Sequence, residues 1–162
     1  MTPRDRIQIL LTAWAVSASL LLAATVARIQ ARELPAAPAP ELAYYMADLQ
    51  HFTHKLDLSV LAENPELAEF YLHEVGEVAE QVEAAFPEHD GAPVAELVRS
   101  LLRPRIHALE APIGDARWDD ARAALTDLVA GCNACHAAAG HGFIRVEVTA
   151  ANPFNQYFGR RD

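Results

Sequence analysis

Apolar residues recur at intervals of three or four in four separate stretches of the chain, and each stretch predicts one amphipathic helix. The first runs from about Glu41 to Leu61, with an apolar stripe of Leu42, Tyr45, Leu49, Phe52 and Leu56. Glu63-Asn64-Pro65 ends it. Asn64 is suited to cap a second helix with Pro65 in its first position. That helix runs to about Phe86, with Leu67, Tyr71, Val75, Val78, Val82 and Ala85 inward. A third begins near Pro93 and carries Val94, Leu97, Leu101 and Ala108. Pro104 falls inside it and predicts a kink. After a break at Ala111 to Asp115, a fourth helix extends to about Ala139, with Trp118, Ala121, Leu125, Leu128, Cys132, Cys135 and Ala139 on one stripe. Gly140 and Gly142 stop it. Phe143 to Val148 alternates apolar and polar residues and reads as extended, and Ala151 to Phe158 is expected to fold back over the bundle end. No internal repeat precedes this tail. The expected fold is all-α: an antiparallel four-helix bundle over residues 41–139, with the tail 140–162 packed on it.

Upstream, the polarity pattern changes. Arg4 and Arg6 precede an apolar run from Ile7 to Ala27, and Thr25 and Ala27 have the small-residue spacing of a signal-peptidase site. About 20 apolar residues also suffice to span a bilayer. Residues 1–27 are therefore read as a signal peptide or a membrane anchor, followed by a Pro/Ala linker at 28–40 whose "ELPAAPAP" is extended in character. Both alternatives place the rest of the chain in the periplasm, soluble or tethered to the inner membrane by residues 7–27. Membrane contact is expected only if this segment is retained.

The length of 162 residues suits one domain plus a targeting segment, and 52% hydrophobic with 22% charged residues is a globular composition. The net charge of −9 argues against nucleic acid, whose binding needs a basic face, and suits docking to a basic protein.

Both cysteines fall in Gly131 to Phe143, "GCNACHAAAGHGF", with a histidine directly after the second. Cys132-x-x-Cys135-His136 is the spacing of a c-type haem attachment sequence. Two thiols add across the haem vinyl groups as thioethers, and the adjacent imidazole reaches the iron as proximal ligand. A disulfide between cysteines so close on a helix would leave His136 unexplained. A thioredoxin-like redox pair needs a βαβ setting, and a zinc site needs four ligands. One covalent haem c accounts for all three residues.

A four-helix pattern with Cys132, Cys135 and His136 near the end of its fourth helix resembles the cytochromes c′ and their relatives. The resemblance covers Glu41 to Ala139 in architecture and those three positions in sequence. It implies haem held among the helices, His136 as proximal ligand, often a homodimer, and either electron transfer or the handling of nitric oxide. The chain departs from the family by continuing Ala137-Ala138-Ala139-Gly140, where a basic residue is usual, and by its tail.

The far side of the iron is open to alternatives. In an antiparallel bundle with a rise of about 1.5 Å per residue, His136 should lie level with Tyr44 to His51 on the first helix. Leu49 there would leave the distal side open to a small gas. Met46 would give a His/Met pair suited to electron transfer. His51 or His54 would give a bis-His pair. His54 and His73 fall near one level and could form a second site, although His73 shares an acidic stripe with Glu66, Glu69, Glu77 and Glu80. Arg99, Arg103, Arg105 and His141 are candidates to meet the haem propionates or the pocket mouth. With no distal acid/base constellation, an electron carrier is expected rather than an enzyme. The alternative is a gas-binding haem protein.

Overall fold

The structure is a computed structural model that describes residues 3–30 and 41–160. It is all-helical, and no β-strand occurs among the described residues. The chain divides into two compact units, Met1–Ala39 and Pro40–Asp162.

The first unit contains one helix, α1 (Pro3–Gln30). Its apolar side chains do not form a stripe. Leu20, Leu21 and Leu22 follow one another, about 100° apart around the axis, and are 66–68% exposed, with Trp14 at 74%. The hydroxyls of α1 turn back onto the helix: Thr12 donates to the Gln8 carbonyl at 3.0 Å, Ser19 to Ala15 at 2.9 Å and Thr25 to Leu22 at 2.8 Å. Those bonds remove the need for water. Among the described residues no helix is long and apolar enough to cross a membrane. The Pro/Ala linker expected at 28–40 falls largely on 31–40, outside the described residues, and α1 itself continues to Gln30.

The second unit opens with α2 (Leu42–Leu61) and α3 (Pro65–Ala85). Their junction follows from the sequence: Asn64 Oδ1 accepts from the Leu67 amide at 3.2 Å, and Pro65 takes the first turn, where no amide donor is needed. The next rod is built in three pieces: α4 (Val94–Leu97), a π-helical turn (Val98–Leu102) and α5 (Arg103–Gly114). The extra residue in a π turn changes the phase of the apolar face. Val94, Val98, Leu102, Ile106, Leu109 and Ile113 are buried, whereas Leu97 and Leu101 are only half-buried and Ala108 is exposed. The 3–4 spacing anticipated from the sequence is thus displaced by one position after Val94. The expected break at Ala111 to Asp115 is also shorter, because Pro112 is accommodated inside α5. The last helix, α6, covers Trp118–Ala138.

α2 packs against α3 and α6, α3 against the α4–α5 rod, and that rod against α6. Leu56, Val60, Val75, Val82, Val98, Leu109, Ile113, Leu125 and Leu128 are almost fully buried between them. The tail after α6 has no regular structure, yet Phe158 is buried in the same core. Asn64 fixes its end, donating from Nδ2 to the carbonyls of Phe158 at 3.0 Å and Gly159 at 3.1 Å. Tyr71 donates to the Gln156 side chain at 2.8 Å.

Asn64 therefore caps α3 and clasps the tail at once. Asn64→Ala should lower unfolding free energy by about 2–3 kcal/mol, roughly one for the cap and one for each tail bond that matters. Asn64→Ser, which keeps a cap acceptor, should recover about 1 kcal/mol. Urea unfolding of both variants checks this, and equal losses would assign the whole effect to the tail.

Candidate functional site

The C-terminal half of α6 presents Cys132, Cys135 and His136, all half-buried. Cys132 packs against the hydrophobic core, continuing the stripe of Ala121, Leu125 and Leu128 as the spacing predicts. The cysteines are free thiols. Burial, reinforced by the neighbouring Cys135, pushes the Cys132 thiol up to about 11, and burial raises Cys135 as well. In the haem-free chain these are protonated, apolar-seeking groups.

Close approach of α6 to the preceding rod depends on Gly131. A Cβ there would lie 2.5 Å from Arg105 Cδ and 3.1 Å from the Leu101 carbonyl oxygen. Arg105 thus lies across the turn that starts the Cys-x-x-Cys-His segment, and its charge acts on Cys132 in the direction opposite to burial. Its Nε is 3.0 Å from Asp127 Oδ2, close enough for an ion pair. The N–H is not aimed at that oxygen, however, and this buried nitrogen has no hydrogen-bond acceptor.

The end of α6 is shaped by Gly140, at φ 80°, a left-handed conformation that glycine adopts without strain. The His141 amide donates to the His136 carbonyl at 2.7 Å and the Gly140 amide to Ala137 at 3.2 Å, which is a Schellman termination. It reverses the chain so that the tail runs back along α6. Two consequences follow. The Ile144 carbonyl comes to 3.2 Å from His136 Nδ1, and Asn133 is bonded twice to Val146. A carbonyl can only accept, so Nδ1 carries the proton and the Nε2 lone pair of His136 is available to a metal.

Free thiols at the right spacing, a histidine fixed in the tautomer that ligates through Nε2, and a guanidinium with an unspent donor beside them fit a haem c. Cys132 and Cys135 would hold it as thioethers, His136 would ligate its iron, and Arg105 suits a propionate. Two described cavities lie elsewhere. One of about 590 Å³ is lined by Asn64, Leu67, Gln156 and Arg160, the other of about 420 Å³ by His73, Glu77, His107 and Glu110.

The remaining candidates separate cleanly. Leu49 is buried in the core, and Met46 and Tyr45 pack on its edge, Tyr45 edge-on to Phe86 at 5.4 Å. His51 points outward, with its ring 5.0 Å from that of Phe154 in the tail. His54 is held by the tail carbonyls of Thr149 at 3.1 Å and Ala151 at 2.9 Å. His73 pairs with Glu77 at 3.4 Å, so His54 and His73 are not brought together. Among the described residues no group of three or more His, Cys, Asp or Glu could hold a metal ion. Arg99 and Arg103 are engaged by Glu80, Glu83 and Glu96 at 3.2–3.4 Å, and His141 Nδ1 contacts the Ala139 carbonyl at 2.9 Å. Asn133 and the Ile144 carbonyl are not legible in the sequence, since a main-chain acceptor has no residue signature. Gly140 is the available signal, because a glycine after the last turn marks a reversal. No family model, curated protein or solved structure matches this chain.

In the haem-free protein at pH 8, Cys132 should react with iodoacetamide roughly 100-fold more slowly than in the urea-unfolded chain, the ratio of thiolate fractions for a thiol raised from 9.0 to about 11. Between those values the folded chain keeps a proton that the unfolded chain releases. Stability should therefore fall as pH rises through that window. Mass-spectrometric labelling rates test the first expectation, and equal rates would mean that the thiol is not buried.

Proposed function

We propose that this chain is an exported monohaem c-type cytochrome that transfers electrons, with haem c bound at Cys132 and Cys135 and ligated by His136. The observation that carries the proposal is the joint arrangement at the end of α6: two free, half-buried thiols, of which Cys132 packs on the core, and an imidazole whose Nδ1 is engaged by the Ile144 carbonyl so that Nε2 is left to ligate. The circuit of contacts α2–α3–rod–α6–α2 supports the antiparallel four-helix bundle and the likeness to the cytochromes c′. An apolar stretch in α1 behind Arg4 and Arg6, with internally satisfied hydroxyls, supports a signal peptide and hence a periplasmic site. When bound, haem c supplies a one-electron iron couple. The protein's own part is to fix the axial imidazole, exclude water with the core stripe and offer Arg105 to a carboxylate. A net charge of −9 favours a basic redox partner, whose encounter rate should fall with added salt.

His54 Nε2 is engaged by two tail carbonyls, whereas His51 makes only ring contacts, so Met46 and His51 both stay candidates for an internal ligand compatible with electron transfer. Leu49, which has no ligating atom, favours a second reading in which the distal side binds a small gas such as nitric oxide.

Expression in a host that matures cytochromes c should give covalent haem on a denaturing gel. Cys132→Ala combined with Cys135→Ala should reduce the stain to background, and His136→Ala should alter the iron spectrum. Wild-type protein without haem would refute the proposal. Low-spin bands that resist carbon monoxide and depend on Met46 would support electron transfer, whereas immediate carbon monoxide binding would favour the gas-binding reading.

A further inference from the structure

We propose that Asn133, the residue between the two cysteines that directly follows Cys132, is a positioning residue for His136 and acts through the tail. Its effect on an iron ligand rests on the haem reading above; its effect on the imidazole does not.

Asn133 is half-buried on α6. Its Nδ2 donates to the Val146 carbonyl at 2.9 Å, and its Oδ1 accepts from the Val146 amide at 2.8 Å. A side-chain amide has one donor edge and one acceptor edge, so this pair of bonds fixes both the position and the rotation of the tail at Val146. Two residues earlier, the Ile144 carbonyl accepts from His136 Nδ1 at 3.2 Å. Asn133 and His136 are separated by about 4.5 Å along the helix, within reach of two tail residues, Val146 and Ile144, that run antiparallel to it. Alternate carbonyls of an extended chain point the same way, so a tail clamped at Val146 aims the Ile144 oxygen at the same helix.

Packing does not supply that constraint. Phe143 is 81% exposed, Ile144 45% and Val148 41%, so apolar burial holds little of this stretch. Before it, the tail is held by the Schellman turn at Gly140 and by local bonds, the Ile144 amide donating to the His141 carbonyl at 2.8 Å. After it, the next anchor is His54 on the Thr149 and Ala151 carbonyls. Between them the two Asn133 bonds are the main tie to α6. Without them Ile144 keeps its amide bond to His141, but nothing beyond it fixes the rotation of the Ile144–Val146 segment, so the Ile144 carbonyl turns away, water bonds either ring nitrogen of His136, and the Nδ1–H tautomer is no longer selected. In the haem-loaded protein the same carbonyl would raise the basicity of the ligating nitrogen and favour the ferric state.

The test uses the full-length chain, first without haem. Long-range proton–nitrogen correlations of the His136 ring, recorded with the imidazole neutral, should show the Nδ1–H form in wild type and a mixture or the Nε2–H form in Asn133→Ala. The Val146 amide should exchange at least about tenfold faster, the equivalent of one lost hydrogen bond of about 1.4 kcal/mol. Asn133→Asp is nearly isosteric and keeps the acceptor but loses the donor. It should shift the tautomer in the same direction, and it serves if the alanine variant does not fold. A variant with unchanged helicity and an unchanged Nδ1–H ring would overturn the proposal, and a loss of stability alone would not rescue it. In haem-loaded protein the iron–imidazole stretching frequency should fall and the midpoint potential should rise in Asn133→Ala, and unchanged values would overturn the role at the iron. Absence of haem from wild type would defeat the haem reading, while the ring tautomer would still decide the role of Asn133.

Discussion

The described segment after Gly140 forms neither helix nor strand, so its peptide groups have no regular ladder and are paired piecemeal, some within the tail and some by side chains of the helices. That constraint organises one face of the molecule. Asn133 takes the amide and carbonyl of Val146, His136 takes the carbonyl of Ile144, His54 those of Thr149 and Ala151, and Asn64 those of Phe158 and Gly159. These donors lie on α6, α2 and the α2–α3 corner. The tail therefore joins the end of the Cys-x-x-Cys-His helix to the far end of the neighbouring helix pair. Apolar contacts enter late along this path: Phe154 packs on the edge of the core with the Lys55 ammonium 5.1 Å from its ring, and Phe158 is buried. The chain is steered by hydrogen bonds first and secured by burial last.

This arrangement decides which histidines remain free. The tail engages His51 through Phe154 and His54 through two carbonyls. Burial and the Lys55 charge push His51 below its ordinary value. An imidazole that donates to carbonyls from Nε2 has committed the nitrogen most often offered to a metal. His136 is held the other way round, by Nδ1, which leaves its Nε2 uncommitted; His141, with Nδ1 on the Ala139 carbonyl, shares that arrangement. The contrast between His54 and His136 arises from the tail alone, since both lie on helices and both donate to main-chain carbonyls of the tail.

The helical frame was legible in the residues because local rules and packing agree there. The Asn64-Pro65 start of α3 and the stripe from Trp118 to Ala139 appear where cap chemistry and 3.6-residue periodicity put them. The rod between Val94 and Gly114 was not legible, because a π turn adds a residue and exchanges Leu97 and Leu101 for Val98 and Leu102 on the buried face. Periodicity carries no signal for that insertion. The motif residues of the candidate site were readable as letters, but their support was not. Gly131 is required by the proximity of Leu101 and Arg105, and the Ile144 carbonyl by the path of the tail. Both belong to tertiary structure.

The same distinction separates the three arginines, which the sequence offers on equal terms. Glu80, Glu83 and Glu96 surround Arg99 and Arg103 on the outer surface of α3 and the rod, where exposed pairs contribute little and spend the guanidinium donors on each other's neighbours. Arg105 faces α6 instead. Its Nη1 donates to the Leu101 carbonyl at 2.7 Å, and its buried Nε lies near Asp127 without a well-aimed bond. A buried donor left in that state is costly until an acceptor arrives. Gly131 lets this side chain lie across the turn next to Cys132, so a positive charge is held beside that thiol. Glycine, arginine and cysteine in this order thus describe one contact: the absence of a side chain at 131 makes room for a cation at the edge of the site.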